Sequence, residues 1–193
     1  MLEVKDLRIS TRVSTILELE NFCIPPASIV TVSGKNGTGK TTLLNFTAGI
    51  KNKLKVTYSS YDKNFTMLAY APDNSYNYFG SMLSSDVINF ANKNSAKDIN
   101  IARVGLGFTD QLLERKVSDL SYGEQKKIYL MIAFSVEADL YIFDEPFSGL
   151  DDTSIAFTRQ SILNLKANRS SVLVVDHNKG VLFSISDKHY ELS

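Results

Sequence analysis

Tryptophan is absent from this 193-residue sequence, cysteine occurs once, and neither sign of charge is in excess. The single cysteine, Cys23, lies in an apolar, strand-like segment, which indicates a buried structural thiol in a reducing compartment rather than a nucleophile or half of a disulfide. Lys and Arg together number 21, as do Asp and Glu, so no overall basic field attracts nucleic acid or an acidic membrane surface. We therefore expect no nucleic-acid partner.

Long apolar runs are also lacking. The longest apolar stretch, Ile128 to Phe143, is interrupted by Glu137 and Asp139 and is too short to span a bilayer. No basic and apolar leader opens the sequence. A chain of this length holds one substantial core, with at most a small appended subdomain. We expect a soluble protein built as one domain.

The apolar pattern predicts an α/β fold. Residues 2 to 24 alternate apolar and polar positions, which is typical of two half-exposed antiparallel strands, and Pro25-Pro26 ends them. Short helical patterns separated by Asn- and Ser-rich links, from Asp73 to about Arg115, indicate a small helical insert. The other predicted strands are Ser28–Ser33, Val56–Ser59, Met67–Ala71, Asp139–Phe143, Ser171–Val175 and Lys188–Leu192, and the predicted helices are Thr42–Ala48, Met82–Phe90, Glu124–Val136 and Thr153–Lys166.

Eight residues, Gly34 to Thr41 (GKNGTGKT), fit the phosphate-binding loop pattern of two glycines, a lysine and a hydroxyl residue at fixed spacing. The glycines let successive backbone N–H groups converge on one anion, and the helix that follows aims its positive end at the same place. We expect Lys40 to neutralise the outer phosphates and the Thr41 hydroxyl to bind magnesium. The residues assigned to the nucleotide here are Gly34, Lys35, Asn36, Gly37, Thr38, Gly39, Lys40, Thr41 and Thr42.

A second motif, LYIFDEP from Leu140 to Pro146, places two adjacent carboxylates at the end of an apolar strand. An Asp-Glu pair in such a place is most often only the start of a solvated turn, but a phosphate loop needs these groups beside it. One carboxylate can hold magnesium, and its neighbour can orient and deprotonate an attacking water. We assign Asp144 to the metal and Glu145 to the general base.

A third motif, LSYGEQKK from Leu120 to Lys127, leads directly into the predicted buried helix. Its serine alone indicates only a helix cap. The order of the motifs is more specific, because the phosphate loop is followed by LSYGE, FDEP, SGLD (Ser148 to Asp151) and an isolated His177 after a strand. In this order the chain resembles the nucleotide-binding subunit of an ATP-binding cassette (ABC) transporter, over essentially its whole length.

The resemblance implies one ABC-type nucleotide-binding domain over residues 1–193. Its expected parts are a P-loop NTPase core with a parallel sheet, an N-terminal antiparallel β subdomain, and a helical subdomain at about 73–137. In the family, two such domains associate head to tail, and each ATP lies between the phosphate loop of one and the signature segment of the other. Here LSYGE is the signature segment.

The resemblance also assigns roles to four residues outside the phosphate loop. Ser121 and Gly123 would face the γ-phosphate bound by the partner subunit, where a helix N-terminus and a hydroxyl stabilise anionic charge. Asp151 would lie at the same interface, and it could also be a plain helix cap. His177 would hydrogen-bond the γ-phosphate and hold Glu145 and water in register, whereas a lone histidine after a strand otherwise has a surface or packing role.

Three residues depart from the family pattern. Asp73 follows Pro72 where a glutamine is usual; an aspartate can still bind magnesium or its water, but it is shorter and adds negative charge. Tyr122 stands where glycine is usual, and Glu124 where glutamine is frequent. The predicted metal ligands are Thr41, Asp73 and Asp144.

The first hairpin departs from the family as well. The aromatic side chain that stacks on adenine usually lies near Ser10, Thr11 and Arg12, and none is present there. We therefore expect weak discrimination between bases, unless Arg12 supplies a planar stacking surface.

The leading hypothesis is an ATPase with ATP and Mg²⁺ as cofactors, which drives transport by separate transmembrane permease subunits from the cytoplasmic face of the membrane. It would act as a homodimer or as a heterodimer with a second ATPase subunit. The alternative is a non-transport ABC ATPase that acts on ribosomes or DNA, but such relatives usually carry a long coiled coil or two cassettes, and the neutral charge argues against a nucleic-acid surface. A GTPase or small-molecule kinase would share the phosphate loop without needing LSYGE or SGLD.

Overall fold

A computed structural model describes residues 1–50, 53–73 and 78–193. The strands are β1 (Leu2–Ser10), β2 (Thr15–Ile24), β3 (Ile29–Gly34), β4 (Lys55–Thr57), β5 (Ser60–Lys63), β6 (Leu68–Ala71), β7 (Leu140–Asp144), β8 (Ser171–Val175) and β9 (Lys188–Leu192). The helices are α1 (Lys40–Ala48), α2 (Ser84–Lys93), α3 (Ile99–Gly105), α4 (Asp110–Leu113), α5 (Tyr122–Ser135), α6 (Asp152–Ala167) and α7 (Lys179–Ile185), with a 3-10 turn at Val117–Asp119. The predicted α/β class is confirmed.

The core sheet is parallel, as the β-branched runs predict, and its strand order is β6-β7-β8-β3-β9. Strands β7 and β8 are buried at every position, because both faces of the sheet are covered. Helices α5, α6 and α7 pack on one face, and α1 packs with the N-terminal antiparallel sheet on the other. Strands β8 and β9 have the bounds that the sequence predicts, and α5 and α6 lie within two residues of their predicted bounds. Helix α7 was not predicted.

The N-terminal strands form the expected antiparallel sheet, with order β2-β1-β4, and β5 also pairs with β1. Asp6 has a φ of 53°, which shifts the alternation of β1, so that Leu7 and Ile9 face the core together with Val4. The same kink divides the facing chain into two short strands. Ser59 lies at the break, where its amide donates to the Lys5 carbonyl and its hydroxyl donates to the Asp6 carboxylate. A single predicted strand at Val56–Ser59 is therefore replaced by β4 and β5.

A helical segment follows β6 and returns to the core through α5. Helix α5 buries an apolar surface that includes Ile128, Leu130 and Met131, and helices α2 and α3 pack against it. Residues 74–77, at the beginning of the predicted helical subdomain, lie outside the described residues. None of the helices described, in 1–50, 53–73 or 78–193, is long and apolar enough to cross a membrane.

Candidate functional site

The carboxyl ends of the parallel strands bring the sequence motifs together at one edge of the sheet. The phosphate loop leaves β3, Asp144 and Glu145 end β7, and His177 follows β8. Asp73 comes two residues after β6. This edge is where α/β proteins bind ligands, because the loops that cross it expose backbone groups and side chains around a crevice.

The phosphate loop is held by bonds within itself. Gly37 and Gly39 have φ values of 85° and 91°, in the left-handed region that glycine adopts without strain. Lys40 is only 8% exposed, and its ammonium donates to the backbone carbonyls of Gly34 and Lys35, both at 2.9 Å. The Thr38 hydroxyl donates to the Lys35 carbonyl at 2.9 Å. Asn36 lies in the same loop, and Thr42 in the first turn of α1.

Thr41 and Asp144 lie together below the loop. The Thr41 hydroxyl is 3.4 Å from Asp144 Oδ2, and Asp144 is only 4% exposed. Burial raises the pKa of Asp144 to about 6, and the nearby charges of Asp73 and Glu145 add to the rise. Hard oxygen donors in a negatively charged, buried setting fit a magnesium ion, which prefers oxygen ligands. A bound cation would also relieve the electrostatic cost of ionising Asp144.

Glu145 and His177 form the second pair at this edge. Glu145 Oε1 lies 2.9 Å from His177 Nε2, and the Ser148 hydroxyl donates to the other carboxylate oxygen at 3.3 Å. Glu145 has a φ of 51°, unusual for a residue with a side chain, which costs on the order of 1–2 kcal/mol. Its amide donates to the Val175 carbonyl at 2.7 Å, so β8 holds the turn in this conformation. The carboxylate is thereby presented beside the end of β7.

The signature segment forms the start of α5. Ser121 is the N-cap: its hydroxyl accepts from the Glu124 amide at 3.3 Å, while the Glu124 carboxylate accepts from the Ser121 amide at 2.7 Å. This capping box explains Glu124 by helix chemistry alone. Gly123 lies against the backbone of the SGLD turn, since a Cβ at that position would stand 2.1 Å from the Gly149 carbonyl oxygen. Glycine is therefore required here by close backbone approach.

Asp151 has the helix-cap role that the sequence allowed. It is the N-cap of α6 and accepts from the Ser154 amide at 2.8 Å, while the Lys127 ammonium donates to its other oxygen at 2.8 Å. The Lys127 ammonium, followed by the Ser154 amide, holds the pKa of Asp151 well below its usual range. Through Lys127, the signature helix and the SGLD turn are joined. The interface role of Asp151 stays a prediction.

Two side chains at this edge were not predicted from sequence. Lys126 is 1% exposed, and its ammonium donates to Asp73 Oδ1 at 3.0 Å and to the Asp144 backbone carbonyl at 3.2 Å. Asp176 is buried and accepts from the amides of Phe147 and Asn178, which ties the end of β8 to the turn after β7; burial raises the pKa of Asp176. A charged residue at the end of a buried strand is the signal that could have identified Asp176. Lys126 stands beside Lys127 in the polar first turns of α5, and no sequence signal distinguishes it.

His189 was given no role from sequence, and the structure places it under the phosphate-loop strand. Its Nδ1 lies 2.8 Å from the Thr31 hydroxyl and its Nε2 3.0 Å from the Ser33 hydroxyl. Burial lowers the pKa of His189, which favours the neutral ring. The imidazole therefore satisfies two polar side chains of β3, one residue before the loop begins.

Comparisons with known proteins show the family of this chain. The family model described as ABC transporter matches residues 17–148. The zinc transport system ATP-binding protein TroB of Treponema pallidum (strain Nichols) is 30% identical, with 91% of this chain and 72% of TroB aligned. The manganese transport system ATP-binding protein MntB of Bacillus subtilis (strain 168) is 26% identical, with 91% of this chain and 76% of MntB aligned.

A solved structure described as the ATP-binding subunit of an ABC transporter has the same fold. It superposes with a TM-score of 0.80 at 22% identity, over 100% of this chain and 85% of that one. The segment matched by the family model contains the phosphate loop, the signature segment and the two strand-end carboxylates.

Proposed function

This chain belongs to the ABC transporter family and is an ATP-binding, ATP-hydrolysing subunit of a membrane transporter, and from that premise we propose that two such subunits close head to tail over ATP. The phosphate loop of one subunit binds the nucleotide, and Ser121 and Gly123 of the other complete the site at the γ-phosphate. Lys40 and the amides of the loop bind the phosphates. The Ser121 hydroxyl accepts from its own helix and keeps its O–H free to donate to an anion.

The observation that carries the proposal is the joint placement of a phosphate loop, a metal-binding pair and a base at one sheet edge. Thr41 and Asp144 supply hydroxyl and carboxylate oxygens next to the loop. Glu145 stands beside them with His177 at 2.9 Å. Each group is the type that phosphoryl transfer to water requires, which is anion binding, charge neutralisation and a positioned base.

Magnesium is the cofactor that these residues fit, and we propose that Thr41 and Asp144 hold it. When bound, the ion neutralises charge on the β- and γ-phosphate oxygens. Metal ligation by Asp73 stays a prediction, because Asp73 Oδ1 accepts hydrogen bonds from both Lys126 and Tyr122. No group of three or more His, Cys, Asp or Glu side chains in 1–50, 53–73 and 78–193 is arranged to hold a metal.

For the chemical step, we assign Glu145 as the general base. Its carboxylate orients a water and takes one proton, the water oxygen bonds to the γ-phosphorus, and the bond to the β,γ-bridging oxygen breaks to release ADP. His177 holds the carboxylate and donates to the γ-phosphate. The contacts of the Glu145 carboxylate with His177 and Ser148 hold it in place before substrate arrives, which lowers the entropy lost in reaching the transition state.

The transmembrane partners are permease subunits, and we place the ATPase at the cytoplasmic face of the membrane. Its own pair is a homodimer or a heterodimer with a second ATPase subunit. TroB and MntB are transport subunits by name, which favours transport over action on ribosomes or DNA.

The composite site can be tested by mixing two inactive variants. Lys40→Met removes the phosphate contact, and Ser121→Asp keeps a good helix cap but opposes the γ-phosphate with a negative charge. Each variant alone should lose ATPase activity. In an equal mixture, half of the dimers carry one chain of each kind, and each of these has one intact site, so about a quarter of the wild-type activity should return.

A mixture as inactive as its components would contradict the head-to-tail arrangement. The matched control replaces Ser121→Asp with a second Lys40→Met preparation, whose mixture should stay inactive. Capture of one affinity-tagged variant with ATP, followed by detection of the untagged variant, verifies that the mixed dimers form.

A further inference from the structure

We propose that Asp73, Tyr122 and Lys126, here called the Asp73 cluster, fix the signature helix to the ATP-binding edge of the same chain and so position the Ser121 that the partner's ATP requires. The proposal rests on the composite site described above. It makes Lys126 and Asp73 positioning residues for hydrolysis in the partner subunit.

The first observation is the burial of Lys126. Its side chain is 1% exposed, on the second turn of a helix that is otherwise buried through apolar residues. A buried ammonium is costly unless hydrogen bonds and a counter-charge compensate it. Asp73 supplies the charge at 3.0 Å, and the backbone carbonyl of Asp144 supplies a further acceptor at 3.2 Å. The ion pair therefore links α5 to the ends of β6 and β7.

The second observation is that Tyr122 bonds to the same carboxylate oxygen. Its hydroxyl donates to Asp73 Oδ1, and the ammonium of Lys126 lies 5.3 Å from the centre of its ring. A Cβ on Gly149 would stand 2.7 Å from Tyr122 Cδ1, so the ring also packs on the SGLD turn. Because Tyr122 directly follows Ser121, the contacts that hold Tyr122 also restrict the position of Ser121, the N-cap residue.

The third observation concerns the departures from the family pattern. Aspartate replaces the usual glutamine at Asp73, and tyrosine replaces the usual glycine at Tyr122, and the structure places these two replacements in contact. A carboxylate can accept from a phenol and an ammonium together, which a glutamine amide cannot do with the same charge compensation. The replacements are therefore parts of one arrangement.

The geometry separates two roles for Asp73. As a metal ligand it would serve the ATP of its own chain. As an anchor it serves, through Ser121, the ATP of the partner. The two roles predict different ATPase activities when the Lys126→Met chain is mixed with other variant chains. Lys126→Met removes the ion pair with Asp73 and leaves Thr41 and Asp144 in place.

The first measurement uses the full chain without nucleotide or magnesium. The amides of Glu124 and Gln125 bond to the hydroxyl and carbonyl of Ser121, so their hydrogen exchange reports on the cap. Asp73→Asn and Lys126→Met should each raise these exchange rates about fivefold or more. The double variant should raise them no further than Asp73→Asn alone, because both substitutions remove the ion pair between Asp73 and Lys126.

Lys166→Met is the matched control for this measurement. It removes a lysine that pairs with Asp187 outside the site, and it should leave exchange of the two amides unchanged. Exchange rates that are unchanged in Asp73→Asn and Lys126→Met, or that multiply in the double variant, would overturn the proposal. Asp73→Glu keeps the carboxylate and should restore most of the protection.

The second measurement mixes Lys126→Met with Lys40→Met. If Lys126 acts through the signature segment, the mixed dimer keeps one intact site, and about a quarter of wild-type activity returns. If Lys126 acts on the metal of its own chain, every site is defective and the mixture stays inactive, which contradicts the proposal. The mixture of Lys40→Met with Ser121→Asp distinguishes failure of this proposal from failure of the composite site. Once mixed dimers are verified, that mixture stays inactive only when the composite site is wrong.

Discussion

Two helix N-termini in this chain are assigned to phosphate binding, and they are built in opposite ways. Helix α1 begins after Gly39, which has no side chain to cap it, so its first amides are left for an anion. Helix α5 begins with a complete capping box, in which Ser121 and Glu124 satisfy each other's amides. The first terminus lies behind a loop closed by the buried Lys40, whereas the signature side is open, with Tyr122 43% exposed.

This contrast indicates different functions for the phosphate-loop half, which contains α1, and the signature half, which contains α5. The phosphate-loop half needs nothing from a partner to bind phosphate. The signature half uses the Glu124 amide for its own cap. In the proposed composite site, this half contributes the Ser121 hydroxyl, Gly123 and a helix dipole to a nucleotide held by the partner. In the proposed head-to-tail pair, ATP binding therefore needs only one chain, whereas hydrolysis needs both chains.

Glu145→Gln should have the largest effect. Glutamine keeps the size of the side chain but cannot accept the proton of water, so turnover should fall about 10²–10⁴-fold while ATP binding by the phosphate loop is retained. ATP should then hold the two chains together, because the bound nucleotide is no longer hydrolysed. Steady-state ATPase assays and gel filtration with ATP measure both effects.

The control for this variant is Glu137→Gln, which removes an exposed carboxylate before the amino end of the same strand. It should hydrolyse ATP like the wild type. Hydrolysis by Glu145→Gln at the wild-type rate would remove the assignment of the base.

Gly123→Ala should destabilise the fold itself. Alanine favours a helix by up to about 1 kcal/mol over glycine, but the new Cβ would stand 2.1 Å from the Gly149 carbonyl oxygen. Overpacking against backbone typically costs 1–3 kcal/mol, so the clash outweighs the propensity and we expect a net loss of about 2 kcal/mol. Urea unfolding measures it.

Gly180→Ala is the matched substitution, since Gly180 lies in α7 and its nearest contact would be 3.6 Å away. It should leave stability unchanged or raise it by up to about 1 kcal/mol. Equal changes in the free energy of unfolding for the two variants would contradict the close approach of backbones as the reason for glycine at Gly123.

Asp144→Asn should stabilise the nucleotide-free chain at neutral pH. The pKa of Asp144 is raised from 3.8 to about 6, so between these values the folded chain binds the extra proton and the stability of the wild type falls as pH rises. Asparagine removes this cost, and we expect a gain of about 1–2 kcal/mol at pH 7.5 that shrinks toward pH 4.5. Urea unfolding at the two pH values measures the difference.

Asp62→Asn, at an exposed position of β5, controls for the general loss of a negative charge. A difference in stability between the wild type and Asp144→Asn that does not grow from pH 4.5 to pH 7.5, or an Asp144→Asn variant less stable at pH 7.5, would refute the electrostatic account of the metal pair.

The fold was predictable because its signals are local in sequence. Five motifs and the β-branched runs predict the parallel strands in order, and β8 and β9 end where predicted. The Asp6 kink was not predictable, because a left-handed aspartate leaves no pattern of its own. Because of this kink, the sequence did not predict β5 as a separate strand.

The site was predictable as a set of motifs and unpredictable as a set of contacts. Asp73 and Lys126 are 53 positions apart, and nothing in either motif indicates that they pair. Asp176 was missed for the same reason, since its partner Phe147 lies 29 positions away. Charge compensation in a buried site is decided by three-dimensional neighbours, which spacing along one chain does not give.

We expect the smallest effect when the base of the nucleotide is changed from adenine to guanine. This change tests whether the phosphate-loop half recognises any part of the nucleotide besides its phosphates. The loop lies against the first hairpin, since a Cβ on Gly39 would stand 3.1 Å from the Ile16 carbonyl oxygen, so the hairpin borders the phosphate loop. Its turn, residues 11–14, contains no aromatic side chain to stack on adenine. ATP and GTP share their triphosphate, so GTP should support turnover within about twofold of ATP. Parallel steady-state assays with both nucleotides measure the ratio. A strong preference for ATP that Arg12→Ala abolishes would instead assign adenine stacking to the guanidinium of Arg12.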